Sequence, residues 1–102
     1  MNPKYNKGRR NEYKVRKILT DKGYQVFRSA GSKGPWDLLA MGKFILCIQV
    51  KTNRLPGKAE MKRLIDTKVH SVAWRQVWVM HDRKAKPDIV TLDEGHLELD
   101  RI

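Results

Sequence analysis

The stretch that decides the fold is SKGPWDLLAMGKFILCIQVKTN, residues 32–53. The short turn Met41-Gly42-Lys43 joins two predicted strands, residues 36–40 and 43–51. The second strand is strongly apolar until it ends in Gln49-Val50-Lys51. A continuous apolar run of this length predicts a buried strand, and the two strands can pair as a hairpin.

Polar side chains stand at the outer ends of this hairpin. Side chains alternate between the faces of a strand, so Gln49 and Lys51 should share one face. If the strands pair, Asp37 lies next to both. Metal-dependent phosphodiester cleavage uses groups of this kind: a carboxylate, an amide oxygen and an ammonium group close together. The carbonyl of Val50 offers another oxygen. The alternatives are that Asp37 caps a turn and that Gln49 and Lys51 emerge into solvent.

Around the hairpin, the sequence alternates helical and strand patterns. Helical spacing of apolar residues predicts helices over 8–22 and 58–75, and the remaining strands are predicted at 24–28, 76–81 and 88–92, with a possible edge extension at 97–99. This order predicts an α/β fold, a central mixed sheet flanked by helices. The 102 residues suit one domain, 1–102, with residues 1–7 as a flexible basic arm.

The charge of the chain indicates a polyanionic partner. Lys and Arg number 22 against 11 acids, a net charge of +11, which favours nucleic acid binding. The acids concentrate in residues 87–102, so this tail should lie away from the nucleic acid. A single cysteine, Cys47, allows no internal disulfide and suggests a reducing, cytoplasmic location. The sequence has no zinc-type spacing and no run of transmembrane length.

Glu12 lies on the apolar stripe of the first predicted helix, three residues before Val15 and seven before Leu19. A carboxylate facing the core needs a partner or a cleft. Glu12 is therefore either at the edge of the apolar stripe and paired with a lysine, or a second carboxylate of the predicted metal site.

Taken together, Glu12, Ser32, Asp37 and Gln49-Val50-Lys51 resemble the motifs of the PD-(D/E)XK nuclease superfamily, in the same order and on the same elements. The chain is most similar to the small Holliday junction resolvases of archaea and their viral or phage relatives. The resemblance is close over roughly the first half of the chain and extends to the rest only in element order.

This resemblance implies a restriction-endonuclease-like fold and a nuclease that uses Mg²⁺, with Mn²⁺ as a substitute. The implied catalytic residues are Glu12, Ser32, Asp37, Gln49 and Lys51. The implied metal ligands are Asp37, Gln49, Val50 and Glu12. Lys51 would orient the attacking water or stabilise charge on the phosphate.

Two positions depart from the family pattern. Trp36 stands where the family has the proline before the aspartate, with Pro35 one place earlier. Gln49 stands where most members have Glu or Asp, which removes one negative charge and should weaken Mg²⁺ binding. Some members carry Gln at this position.

The expected partner is branched double-stranded DNA, a four-way junction. Phosphate contacts are expected from Lys4, Lys7, Arg9, Arg10, Lys14, Lys33, Arg54 and Lys58. A junction is nearly two-fold symmetric and needs two matched cuts, so a chain with one site should form a homodimer. Candidates for the interface are Trp74, Trp78, Leu92, Leu97 and Ile102. The alternative is that they are core residues, which is favoured more for Trp78 than for Ile102.

The leading hypothesis is therefore a structure-selective endonuclease that resolves Holliday junctions. One alternative is another PD-(D/E)XK nuclease with a nicking or repair role. A second alternative, for which Gln49 is the main argument, is a catalytically inactive basic DNA-binding protein.

Overall fold

The computed structural model describes residues 3–29 and 34–102, and for residues 3–7 it describes the backbone alone. The elements are α1 (Pro3–Asp21), β1 (Gln25–Arg28), β2 (Leu38–Met41), β3 (Ile45–Thr52), α2 (Lys58–Asp66), β4 (Ala73–Met80), β5 (Asp88–Thr91) and a short 3₁₀ helix, η1 (Leu99–Arg101). The predicted α/β class and order of elements are confirmed.

The strands form one mixed sheet in the order β1-β2-β3-β4-β5. Strands β3 and β4 are parallel because α2 carries the chain back across the sheet, and the other neighbours are antiparallel. The predicted hairpin is β2–β3, in which Leu38 pairs with Ile48.

The two helices cover opposite faces of this sheet. Helix α1 buries Val15 and Leu19 against a core that includes Ile48 and Trp78. On the other face, Leu64 of α2 packs against Val77, the neighbour of Trp78 along β4. Alternation along the strands thus gives each helix its own apolar layer.

The first helix is longer than its apolar stripe indicates. It begins at Pro3 rather than at Gly8, so the backbone of residues 3–7 is helical where a flexible arm is expected. Proline suits the first position of a helix, because its fixed φ is already helical and its missing N–H is not needed there. Met1 and Asn2 lie outside the described residues.

The second helix is shorter than predicted and ends at Asp66 rather than at Arg75. Thr67 is extended (ψ 119°), although Val69 and Val72 continue the helical spacing. Arg75 stabilises the end of α2 at Asp66, because its Nη1 donates to the carbonyls of Ile65 at 2.5 Å and Thr67 at 3.1 Å. These are terminal carbonyls that would otherwise lack partners.

The C-terminal segment is not the predicted edge strand. Leu97 is buried, its carbonyl accepts a hydrogen bond of 2.9 Å from Gln76 Nε2, and η1 follows. Leu97, Trp78 and Ile102 belong to the core on the α1 face. For these three, core burial, which was the alternative, is confirmed and the interface prediction is wrong, while Trp74 and Leu92 are half-buried.

Candidate active site

Asp37 lies one residue outside the paired part of the β2–β3 hairpin. Its N–H donates to Ile48 O at 2.8 Å, and its carbonyl accepts from Ser29 N–H at 2.9 Å. Its carboxylate turns toward β3, where Oδ2 accepts the backbone N–H of Val50 at 2.8 Å. The expected position beside the end of β3 is confirmed, and the backbone on both sides holds the carboxylate there.

The surroundings of Asp37 disfavour an isolated negative charge. Burial raises the pKa of this carboxyl above its usual value, opposed by the Val50 N–H and by the charge of Lys51. The negative charge of Glu60 raises the pKa further. A cation placed here would stabilise the ionised carboxylate, since an opposite charge favours the charged form.

Gln49 is held in a fixed orientation. Its side chain is buried, and Nε2 donates to Glu60 Oε1 at 3.0 Å and to the Pro35 carbonyl at 3.3 Å. A flipped amide would set its oxygen against these two acceptors, so this assignment is the one that the hydrogen bonds permit. Oε1, on the other side of the amide, is buried and has no hydrogen-bond partner within residues 3–29 and 34–102. Buried acceptors are normally satisfied, so this oxygen is available to a ligand.

Lys51 shares the face of Gln49, as predicted, and its Nζ lies 2.9 Å from Glu60 Oε1. Glu60 is in the first turn of α2, three residues after the N-cap Gly57. The hydrogen bond from Lys51 is the main reason that the pKa of Glu60 lies below its usual value. Sequence reasoning missed Glu60. The available signal was that it is the only acid between Asp37 and Asp66, within a basic stretch.

Glu12 approaches the site from the face of the sheet that α1 covers, opposite to the face that carries Gln49 and Lys51. Burial raises its pKa, and the charge of Asp37 raises it further, so the two carboxylates are close enough to interact. Its ionic partner is Arg28 of β1, with Nε 3.5 Å from Oε1. Asn11 fixes this part of α1, since its Nδ2 donates to Thr52 Oγ1 at 2.7 Å. Arg28 and Asn11 were not predicted, because neither stands in a recognisable pattern.

The structure thus brings together Glu12, Asp37, Gln49 and Lys51, and adds Glu60. Val50 contributes its N–H to Asp37, and the role of its carbonyl as a ligand stays a prediction. Ser32 and Lys33 lie outside the described residues, as do the side chains of Lys4 and Lys7.

The other predicted DNA contacts flank this site. Arg9, Arg10 and Lys14 are exposed on α1, and Arg54 and Lys58 are exposed between β3 and the start of α2. The charge of Arg9 lowers the pKa of Glu12, which places this cation near the carboxylates. These five side chains are accessible to a polyanion.

The oxygens at the site suit a hard divalent cation. Within residues 3–29 and 34–102, no three His, Cys, Asp or Glu side chains converge closely enough to hold a metal ion alone. The Gln49 oxygen, which has no partner in the described part of the chain, would add a neutral donor to the carboxylates of Asp37 and Glu12. Mg²⁺ prefers such oxygens and keeps several of its waters, so an incomplete protein shell fits it.

The chain is similar to known proteins both in a family comparison and among solved structures. A family model described as "Archaeal holliday junction resolvase (hjc)" matches residues 3–72, which span α1 to the end of the loop after α2. The chain is also similar to the 1.6 Å structure of Archaeoglobus fulgidus Hjc, a Holliday junction resolvase from a hyperthermophilic archaeon, with a TM-score of 0.67 and 25% identity. That alignment covers 84% of this chain and 73% of the other. In the described part of the chain, no helix is long and apolar enough to cross a membrane.

Proposed function

This chain belongs to the archaeal Hjc family of Holliday junction resolvases, which are nucleases and generally metal-dependent, and from that premise we propose how it cuts its substrate. We propose that it hydrolyses four-way DNA junctions as a homodimer, with Mg²⁺ held by Asp37, Gln49 and Glu12. The observation that carries this proposal is that Oε1 of Gln49 is buried and has no hydrogen-bond partner among the described residues, next along β3 to Val50, whose N–H holds the Asp37 carboxylate.

Each residue has a distinct task in this site. A bound Mg²⁺ would polarise the scissile phosphate and lower the pKa of a water. Asp37 would bind the cation through its carboxylate, and its bond to Val50 N–H keeps the carboxylate aimed at the end of β3. Gln49 presents a neutral oxygen whose direction is set by its two donated hydrogen bonds. Glu12 supplies a carboxylate from the other face of the sheet.

Lys51 acts on the phosphate rather than on the cation. Its ammonium group is half-buried, with 31% of the side chain exposed, and Glu60 holds it at 2.9 Å. A fixed donor in a partly water-excluded site stabilises the charge that develops on the phosphate oxygens and orients the attacking water. Ser32 is proposed as an additional phosphate contact from the loop before Asp37.

DNA binding is proposed along the basic surface around the site. Arg9, Arg10 and Lys14 lie on one side and Arg54 and Lys58 on the other, and all five are exposed. Lys4, Lys7 and Lys33, whose side chains lie outside the described residues, are proposed as further phosphate contacts. Lysine and arginine neutralise phosphates without reading bases, which suits recognition of branched shape. A DNA substrate and a single, buried cysteine are consistent with the expected cytoplasmic location.

Dimerisation is proposed through an apolar patch that α2 leaves uncovered. The β1–β2 patch consists of Phe27, Leu39 and Met41, which are 45%, 38% and 45% exposed. Phe27 pairs with Leu39 across the strands, and Met41 lies two residues along β2 on the same face. Large contiguous apolar groups at a surface favour protein contact, and a second copy would supply the matched second cut.

The substrate and metal requirements are tested with a labelled synthetic four-way junction and a linear duplex of the same sequence, each with Mg²⁺, Mn²⁺ or EDTA. Paired symmetric cuts in the junction alone, abolished by EDTA, are expected. Cutting of both substrates would indicate a less selective PD-(D/E)XK nuclease. Tight, salt-sensitive binding without cutting under either metal would mean that Gln49 marks an inactive site.

A further inference from the structure

Glu60 is the carboxylate in this site that no sequence motif assigns. Its Oε1 accepts two hydrogen bonds, from Gln49 Nε2 at 3.0 Å and from Lys51 Nζ at 2.9 Å. It comes from α2, whereas its two donors stand on β3. The helix that connects β3 to β4 therefore brings a negative charge to the residues proposed to bind metal and phosphate.

The neutral side chain of Gln49 indicates a role for the negative charge of Glu60. An amide at this position offers an oxygen but no negative charge, so the attraction of the site for a divalent cation is reduced. The amide nitrogen that replaces the second carboxylate oxygen is the atom that contacts Glu60. The negative charge that Gln49 lacks is therefore carried by Glu60, whose hydrogen bond to Gln49 Nε2 also orients Oε1 of Gln49.

We propose that Glu60 is a metal-binding carboxylate of this chain, so that Gln49 and Glu60 together replace a single acidic residue at position 49. The inference rests on the proposed function, because it concerns the same cation. A carboxylate has two oxygens and about four acceptor positions. It can keep its bonds to Gln49 and Lys51 and still offer an oxygen to the cation.

Two observations support a ligand over a plain ion-pair partner. The nearby Oε1 of Gln49 is more than nine-tenths buried and lacks a partner in the described structure, which an ion pair between Lys51 and Glu60 does not explain. The Glu60 side chain is also 38% exposed, so it stands at the mouth of the site and can reach a cation that still carries waters.

The test is Mn²⁺ binding by the full-length protein without DNA, measured by isothermal titration calorimetry. Glu60→Gln should weaken binding about tenfold or more. Glu60→Asp keeps the charge on a shorter side chain and should bind better than Glu60→Gln. In the double variant Gln49→Glu/Glu60→Gln the charge returns to β3, and affinity should recover to within about threefold of the wild type.

Asp66→Asn is the matched control, since it removes one carboxylate from the same helix at its far end and should leave Mn²⁺ affinity within about twofold. Melting curves confirm that each variant is folded. Unchanged affinity in Glu60→Gln, or no recovery in the double variant, overturns the inference. Failure of the proposed metal site looks different, because the wild type and Asp37→Asn would then bind Mn²⁺ equally weakly.

Discussion

Asn11 and Thr52 join the first helix to the end of the central strand, with Asn11 Nδ2 donating to Thr52 Oγ1 at 2.7 Å. Asn11 is buried, and the next residue is Glu12. The bond therefore ties the residue before Glu12 to the residue after Lys51, and we expect it to help to position the Glu12 carboxylate.

Asn11→Ala should therefore lower both stability and cleavage. Leaving Thr52 Oγ1 without its donor costs about 1–3 kcal/mol of folding free energy, and the helix loses its fixed position at Glu12. Thermal melts and single-turnover junction cleavage measure the two effects. Thr52→Ser keeps the acceptor and should stay close to the wild type. Cleavage by Asn11→Ala at the wild-type rate would show that the contact does not position Glu12.

Gly42→Ala should destabilise the β2–β3 turn. A Cβ at this position would lie 2.8 Å from Tyr24 Cδ2 and 2.9 Å from Cγ. The ring cannot easily retreat, because Tyr24 is buried and its hydroxyl accepts the Phe44 N–H at 3.2 Å. We expect a loss of about 1–3 kcal/mol in chemical denaturation.

Gly8→Ala is the control for this prediction, since an added Cβ there meets no atom within 4 Å. Alanine within a helix is favoured over glycine by about 0.5–1 kcal/mol, so this variant should be more stable than the wild type. Equal stability changes in the two alanine variants would contradict the packing of Tyr24 on Gly42.

Charge in the β1–β2 patch should prevent dimerisation. Leu39→Lys places an ammonium group between Phe27 and Met41, where a second copy would have to desolvate it. Analytical ultracentrifugation should show a dimer for the wild type and a monomer for this variant. Leu55→Lys alters a leucine that is more exposed, at 50%, and lies outside the patch, so this variant should remain dimeric. A dimeric Leu39→Lys protein would place the interface elsewhere.

Acid should reduce the contribution of Asp88 to stability. A hydrogen bond from His81, followed by one from Lys84, holds the pKa of Asp88 below its usual value. A lowered folded-state pKa stabilises the fold above the unfolded value of about 4 and loses this effect as the pH falls through the folded value. Asp88→Asn should melt below the wild type at pH 6, and the difference should shrink below about pH 4. A constant difference across this range would contradict the assignment.

The hairpin and its polar ends were predictable because they depend on local rules. Strand alternation places Gln49 and Lys51 on one face, and a short turn brings Asp37 beside them. Glu60 and Arg28 were not predictable in the same way. Their contacts depend on how α2 and β1 pack on the sheet, which no spacing within either segment encodes.

The sequence also could not show which apolar residues are buried in the core. Periodicity shows which residues are apolar together, but it cannot tell a core residue from one at an interface. Trp78 and Leu97 were therefore candidates for an interface, although both are buried in the core. The end of α2 was missed for a similar reason. Val69 and Val72 continue the helical spacing, while the carbonyls of Ile65 and Thr67 find their partner in Arg75 from β4.

The most direct test of the account is Asp37→Asn, with junction cleavage and junction binding measured on the same preparation. The substitution keeps the size of the side chain and removes the charge that a cation needs. We predict a single-turnover rate lower by about 100-fold or more, with a dissociation constant for the junction within about twofold of the wild type in EDTA. Cleavage at the wild-type rate, or a loss of cleavage that merely follows a loss of binding, would contradict the claim that Asp37 lies at the catalytic centre.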